Sequence, residues 1–440
     1  MKTRKAFLTF VLCLPLAALL IFWLLLDRTP PSITVKPEQG VVSQGTSFTL
    51  DVQDADSGLR QVEVTAVQGD DTFSLLSRTF DSPSPDFNEE FTLEGSSLED
   101  GEFSLSVLAI DASKNNWTKG NKEQAGFNMR LDSKPPSVSV LNATRYVYQG
   151  GAAAVSYTIS EESAKTGVSV GDFFFPGYEY ASGSYLCFYA YPHSLPDSDT
   201  SPTLTAEDEA GNLTRIGVPV YVKNRGFKKD RLTISDRFLR LKMPQFANGN
   251  SRDPKELLQV FLRVNEELRA EDNRTVMEVG TRTSAELMWE GSFIRLPNSA
   301  RRAGFGDHRT YVYNGERVDE TFHLGIDLAS LARSRVPAAN NGRVVYADSL
   351  GIYGQTVILD HGFGVQSLYS HLSEIKVGVG EAVKKGRPVG LTGETGMALG
   401  DHLHFGMMVS GIPVTPIEWW DPKWIQERIA PCLDDLASRE

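Results

Sequence analysis

The chain has 440 residues with 44 Lys and Arg against 56 Asp and Glu, a formal net charge of −12. That balance leaves no basic footprint for nucleic acid, and an apolar content of 41% excludes a largely disordered chain. Three cysteines, Cys13, Cys187 and Cys432, lie far apart in sequence, which excludes a disulfide framework or a CxxC metal site. The length suits two to four domains.

At the N-terminus, Lys2, Arg4 and Lys5 precede an uncharged apolar run from Ala6 to Leu26. A helix of roughly 20 residues rises about 30 Å and spans a bilayer core. Basic residues ahead of such a run favour an inside N-terminus and an outside remainder. A cleaved signal peptide is the competing reading. It calls for a shorter apolar region and small residues at its end, whereas Phe22-Trp23-Leu24-Leu25-Leu26 passes directly into Asp27-Arg28. The expectation is an uncleaved transmembrane helix within residues 1–28, in the cytoplasmic membrane, with the bulk of the chain outside. Phe-Val-Leu ahead of Cys13 makes a poor lipidation site.

Two β-rich segments follow and resemble one another. TPPSITV (29–35) is echoed by KPPSVSV (134–140), and AIDASKNNWT (109–118) by TAEDEAGNLT (205–214). Pro-Pro followed by alternating β-branched residues suits an edge strand entered from a linker. A spacing of about 105 residues is a sandwich-domain length, not a solenoid repeat. Two immunoglobulin-like β-sandwiches are expected, over 29–132 and 133–222, serving as a spacer or as a partner- or wall-binding module. The acidic stretch DVQDADSG (51–58) reads as a solvated turn, with no calcium site assigned. The aromatic run FFFPGYEY (173–180) reads as core or interface packing.

Residues 223–289 read as a linker that opens on basic KNRGFKKDR (223–231). Asp253, Pro254 and Glu256 occupy the cap, first and third positions of a helix start. Leu257, Leu258, Phe261, Leu262 and Leu268 then give one helix over about 254–271 with an apolar stripe toward a core. Whether that helix also covers a cleft is left open.

From residue 290 the pattern turns to short strands punctuated by glycine. Within it lie HLGID (323–327), YSHL (369–372) and HLHF (402–405). His323 and Asp327 stand an even four residues apart in an alternating pattern, so a strand puts both on one face. The same period sends His402 and His404 to one side. Imidazoles and a carboxylate converging on one point are the composition of a catalytic zinc site that keeps its fourth position open.

HLGID, YSHL, VKKGRPVGLTGETG and GDHLHF, in this order and spacing, resemble the M23 family of zinc metallopeptidases, the lysostaphin- or LytM-like peptidoglycan endopeptidases. The resemblance covers about 290–422. It implies a C-terminal antiparallel β-sheet peptidase domain, here 290–440, with a groove across it. It also implies Zn2+ held by His323, Asp327 and His404, with His371 and His402 assisting the reaction as catalytic residues. A zinc-bound water would attack the scissile carbonyl. No HExxH supplies a glutamate base, so His371 or His402 moves the proton, in an order that stays open. The implied substrate is bacterial peptidoglycan, in its stem peptides or cross-links. The alternative is a non-hydrolytic envelope scaffold or activator of another wall hydrolase; domains of that kind usually lose ligand residues, and this chain retains all of them. His361 and His308 read as structural or groove-lining, and His193 as having no catalytic role. The chain departs from the family in having Gly406 where glutamate often follows HLHF. Trp419 and Trp420, in PIEWWD, suit a packed edge. The whole is expected to be mainly β: anchor, two sandwiches, short helical linker, peptidase domain.

Overall fold

The computed structural model describes residues 26–437 apart from 182, 196–199, 248 and 250. The expected anchor lies outside the described residues as far as position 25. Among the described residues no helix is long and apolar enough to cross a membrane. Strand makes up 47% and helix 16%, so the chain is mainly β.

Two compact units result. The first comprises the described residues up to Pro135 together with Glu207–Leu213; the second comprises Pro136–Ala206 and the described part of Thr214–Glu440.

In the first unit, Ser32–Lys36, Phe48–Gln53 and Asp86–Phe91 form a three-stranded sheet. A five-stranded sheet runs Gly40–Val42, Lys122–Leu131, Gly101–Asp111, Leu59–Gln68, Asp71–Ser84. Alternation sets the faces. Along Gly101–Asp111, Phe103, Leu105, Val107 and Ala109 are buried while the residues between them are not. They join Leu50, Val52, Val62 and Val64 in one core. The repeated strand ends share a device. Asp111 accepts hydrogen bonds from the main-chain and side-chain amides of Asn121 at 2.7 and 2.6 Å. Asp208 does the same with Asn212 at 2.9 and 3.0 Å. In the 51–58 stretch Asp54 accepts from the Ser57 and Gly58 amides, a local turn of the kind Asp favours.

In the second unit, one four-stranded sheet runs Tyr178–Ala181, Ser184–Tyr191, Gly151–Ile159, Val138–Ala143. Its two central strands are buried almost throughout, which means both faces are covered. The C-terminal helical segment supplies part of that cover: Thr144 Oγ1 donates to the Arg428 carbonyl at 2.8 Å, and Cys432 is fully buried among the sheet residues. The rings of Trp289 and Trp419 pack on Phe188 at 5.9 and 6.4 Å. One continuous core therefore runs from Tyr157 and Phe188 through Trp419 to Tyr369 and Phe405. The boundaries drawn from sequence at 222 and 290 mark changes in chain pattern, not breaks in this core. The 173–180 aromatics belong to it: Phe175 is buried and Tyr178 stacks on Phe363 at 5.0 Å.

The sheet that carries the histidines is antiparallel throughout. Its order is Ala300–Ala303, Ile326–Ala329, Leu403–Val409, Val365–Leu372, Gly354–Asp360, Gly342–Leu350, Ala382–Val383, with Ile412–Val414 also paired to Leu403–Val409. Residue 404 faces Asp327 on one side and Ser370 on the other. The helix expected over 254–271 begins as expected: Asp253 accepts from the Lys255 amide at 3.0 Å. It continues through a π-turn at Val264–Leu268 and on to Gly280. The extension is polar in sequence but buries Asp272, Val276 and Val279, and Asp272 accepts from the Ile352 amide at 2.6 Å. Tertiary contact, not its own amphipathicity, holds it. Within the linker, Lys229–Thr233 forms a strand parallel to His308–Tyr313, which pairs in turn with Glu316–Phe322.

Candidate metal centre

Between the helical segment and the large sheet lies a cleft of about 570 Å3. Phe238, Phe261 and Tyr311 form part of one wall, and His323, Asp327, His371, His402 and His404 all line it. All five residues singled out by motif are thus brought together. His361, His308 and His193 are not: the first is buried away from the cleft against Ser367, and the other two pack on Phe322.

The three expected ligands meet atom to atom. His323 Nε2 lies 2.9 Å from Asp327 Oδ1 and 2.9 Å from His404 Nδ1, and His404 Nδ1 lies 3.1 Å from Asp327 Oδ1. The opposite nitrogen of His323 is already committed, because its Nδ1–H donates to the Gly304 carbonyl at 2.8 Å. Its Nε2 therefore offers a lone pair. The His323 Nε2 lone pair, His404 Nδ1 and an Asp327 carboxylate oxygen face one another in a largely buried triangle. Such a set is repulsive unless a cation or a proton sits among them. A tetrahedral metal with bonds of about 2.0–2.2 Å separates its ligands by only slightly more than these distances. The donor chemistry and the spacing fit a metal ion.

The sequence neighbours explain the placement. The strand begins only at Ile326, so His323 precedes it, yet it still reaches Asp327. A Cβ at Gly325 would come within 2.6 Å of the His404 ring, so this position admits only glycine if the imidazole is to lie flat against the chain. His404 Nε2 is buried with no hydrogen-bond partner.

Residues 321–416 match Peptidase family M23. The chain carries an M23 peptidase domain. DD-carboxypeptidase/endopeptidase Mpg of Neisseria meningitidis serogroup B is 37% identical over 95 residues, 22% of either chain. Peptidoglycan DD-endopeptidase ShyB of Vibrio cholerae is 28% identical over 214 residues, 47% of either chain. The chain thus spans between 22% and 47% of the length of these curated relatives. Among solved structures, the lysostaphin catalytic domain from Staphylococcus simulans is 30% identical, covering 30% of this chain and 98% of that one, with a TM-score of 0.25.

Around the M23 triangle stand two further imidazoles. His371 Nδ1–H donates to the Thr395 carbonyl and His402 Nδ1–H to the Gly400 carbonyl, each at 2.9 Å. Their rings are 4.9 Å apart, and His402 Nε2 is 3.6 Å from Asp327 Oδ1, an ion-pair distance rather than a hydrogen bond. His371 holds its position at a φ of 63°, in the left-handed region that a non-glycine residue seldom adopts. Such strain at a site residue is typical of functional clusters.

The electrostatics follow from burial and mutual proximity. Burial pushes His404 down to about 4. His371 lies well below the usual imidazole range, through burial first and the neighbouring His402 and His404 second. For Asp327 burial acts upward, but the neighbouring His323, His402 and His404 imidazoles prevail and hold it well below the carboxylate range.

Motif reading missed Arg309. Its Nη2 donates to Asp327 Oδ2 at 3.1 Å, leaving Oδ1 for the triangle. It lies upstream of the matched segment, on the strand that pairs with linker residues, and no local pattern marks it.

Proposed function

We propose that the chain is a zinc metalloendopeptidase that hydrolyses peptide bonds of peptidoglycan at the His323–Asp327–His404 site. The observation that carries this is the convergence of three metal-ligating atom types within about 3 Å of one another in an M23 domain. The names of Mpg and ShyB support a cell-wall peptide as substrate. A zinc ion, when bound, supplies Lewis acidity toward a water and a carbonyl.

The residues do the rest. Gly304 fixes the tautomer of His323, and Arg309 orients the Asp327 carboxylate, the kind of support from behind that ligand geometry depends on. His371 and His402 stand outside the ligand set, each anchored through Nδ1, so that Nε2 of each is free to accept or return a proton near the scissile bond. The helical wall screens one side of the cleft from bulk water. The apolar run at 6–26 would hold this domain outside the cytoplasmic membrane. A reporter fused after Glu440 that is active only in the cytoplasm would overturn that orientation.

The deciding experiment is digestion of purified peptidoglycan by the full chain, with released fragments identified by mass. Cleavage that disappears with a chelator and in His404→Ala is the expected result. Stoichiometric zinc without release of peptide from any peptidoglycan would remove the enzymatic reading in favour of a scaffold or activator.

A further inference from the structure

We infer that a second, apolar pocket beside the metal cleft is a side-chain subsite, taking an uncharged side chain of propyl size or larger from a residue next to the scissile bond. The inference rests on the peptidase reading above and names a specificity that reading leaves open.

The pocket has a volume of about 210 Å3. At the roughly 30 Å3 that each molecule occupies in liquid water, that is space for several waters, so an alanine methyl would leave most of it unfilled. It is not a separate hole: Asn273, Leu324, Tyr353 and His404 line both it and the cleft. What enters it therefore arrives with whatever lies across the metal site. The Leu403–Val409 strand sends alternate residues to one face, so His404, Gly406 and Met408 run in a row from the ligand into the pocket floor. Leu368 faces Gly406 across the sheet. Val276 and Met277 of the helical segment also line it, as do Phe173, Pro192, His193 and Ser194. Among the described residues no Asp, Glu, Lys or Arg lines it. A free ammonium or carboxylate would lose hydration there and find no counter-charge. Tyr353 donates to Asn273 Oδ1 at 2.8 Å, which leaves the Asn273 amide N–H to meet a substrate carbonyl where pocket and cleft join.

Gly406 is what makes the space. Its φ is not in the left-handed region, so the backbone does not require glycine there. A Cβ at 406 would meet Leu368 Cβ at 3.4 Å and the Leu324 carbonyl at 3.7 Å, ordinary contacts. Packing does not require glycine either. Gly325 differs, since its missing side chain accommodates the His404 ring. A side chain at 406 would grow into the pocket.

Two measurements on the full chain test this. The probes are synthetic stem-type peptides that differ only in one residue beside the scissile bond, carrying a methyl, propyl or butyl side chain. In the metal-free chain labelled with 13C at its methionine methyls, the butyl peptide is expected to shift the Met408 and Met277 signals and the methyl peptide to leave them in place. With zinc, kcat/KM is expected to rise roughly fourfold per added methylene, as burial of a CH2 predicts. Gly406→Leu, and independently Met277→Trp, should flatten that slope to within twofold while zinc stoichiometry is kept. Hydrolysis with no length dependence and unmoved methionine signals would overturn the subsite and leave the peptidase reading standing. Shifted methionines without hydrolysis of any peptide would do the reverse. Unchanged slopes in both variants would also overturn the subsite.

Discussion

His404 and His361 lie in the same sheet region, both are buried, and burial pushes both down to about 4. They nevertheless do opposite things. His361 is satisfied on both sides: Nδ1–H donates to the Asn341 carbonyl at 2.6 Å and Nε2 takes the Ser367 hydroxyl at 2.7 Å. The Tyr369 hydroxyl in turn donates to Ser367 Oγ at 2.8 Å and accepts from the Ala339 amide at 2.7 Å. Every donor there meets an acceptor, and the chain of bonds is complete without an ion. At His404 Nε2 meets no partner, and Nδ1 lies within about 3 Å of both the His323 Nε2 lone pair and Asp327 Oδ1. Burial and a depressed pKa therefore do not distinguish a candidate metal ligand from a structural histidine. Whether every ring nitrogen has its own partner does.

The largest way to break the comparison is His404→Ala. Removing one of the three proposed ligands is expected to abolish stoichiometric zinc, whereas His361→Ala keeps it; metal analysis after exhaustive dialysis reads the difference. Full zinc retention in His404→Ala would move the metal elsewhere.

His361→Ala should instead show its effect in stability. It leaves a cavity and strands two buried hydrogen-bonding groups, a loss of about 3–5 kcal/mol in denaturant unfolding of the metal-free chain. A loss below about 1 kcal/mol would mean the network is not structural.

Glu418 sharpens the same contrast among acids. Asp327 is partly buried yet held low by its imidazole neighbours, whereas burial pushes Glu418 up to about 7, against the pull of the Ala152 amide and of Arg225 at 3.3 Å. Its folded pKa thus exceeds the ordinary value of 4.5. The folded chain holds a proton that the unfolded chain has released, so this contribution to stability is complete below pH 4.5 and lost as pH rises to about 7. The loss amounts to about 3 kcal/mol across that window. Glu418→Gln should remove the slope, and the difference between the two unfolding curves against pH isolates it from other titrating groups. Parallel curves would sink the assignment.

Arg309→Ala is expected to have the smallest effect. It should weaken zinc about 10- to 100-fold, the usual cost of losing support behind a ligand, as measured by competition with a chromogenic chelator. An unchanged affinity would make the Arg309–Asp327 contact incidental.

Part of this centre was legible in the chain itself, because Asp327 and His404 sit in strands whose period of two shows in the sequence, whereas His323 and His402 precede those strands. Alternation fixes which side chains share a face, and it needs no partner strand to be known. The start of the helix at Asp253 was legible for a similar reason, since a cap is a contact within a few residues. Tertiary structure decided where that helix ends, because Val276 and Val279 are buried by a sheet lying some 70 or more residues further on. It also made one core of the 133–222 and 290–440 ranges, since covering the outer face of a sheet takes residues distant in sequence, such as Trp289 and Trp419. Arg309, the Gly304 and Thr395 carbonyls, and the pocket left by Gly406 all came from strand order. The sequence by itself determined which atoms are able to bind a metal, because that is a property of residue type and local period. Only the tertiary structure decided what stands behind those atoms and what space lies beside them, because both depend on which distant strands become neighbours.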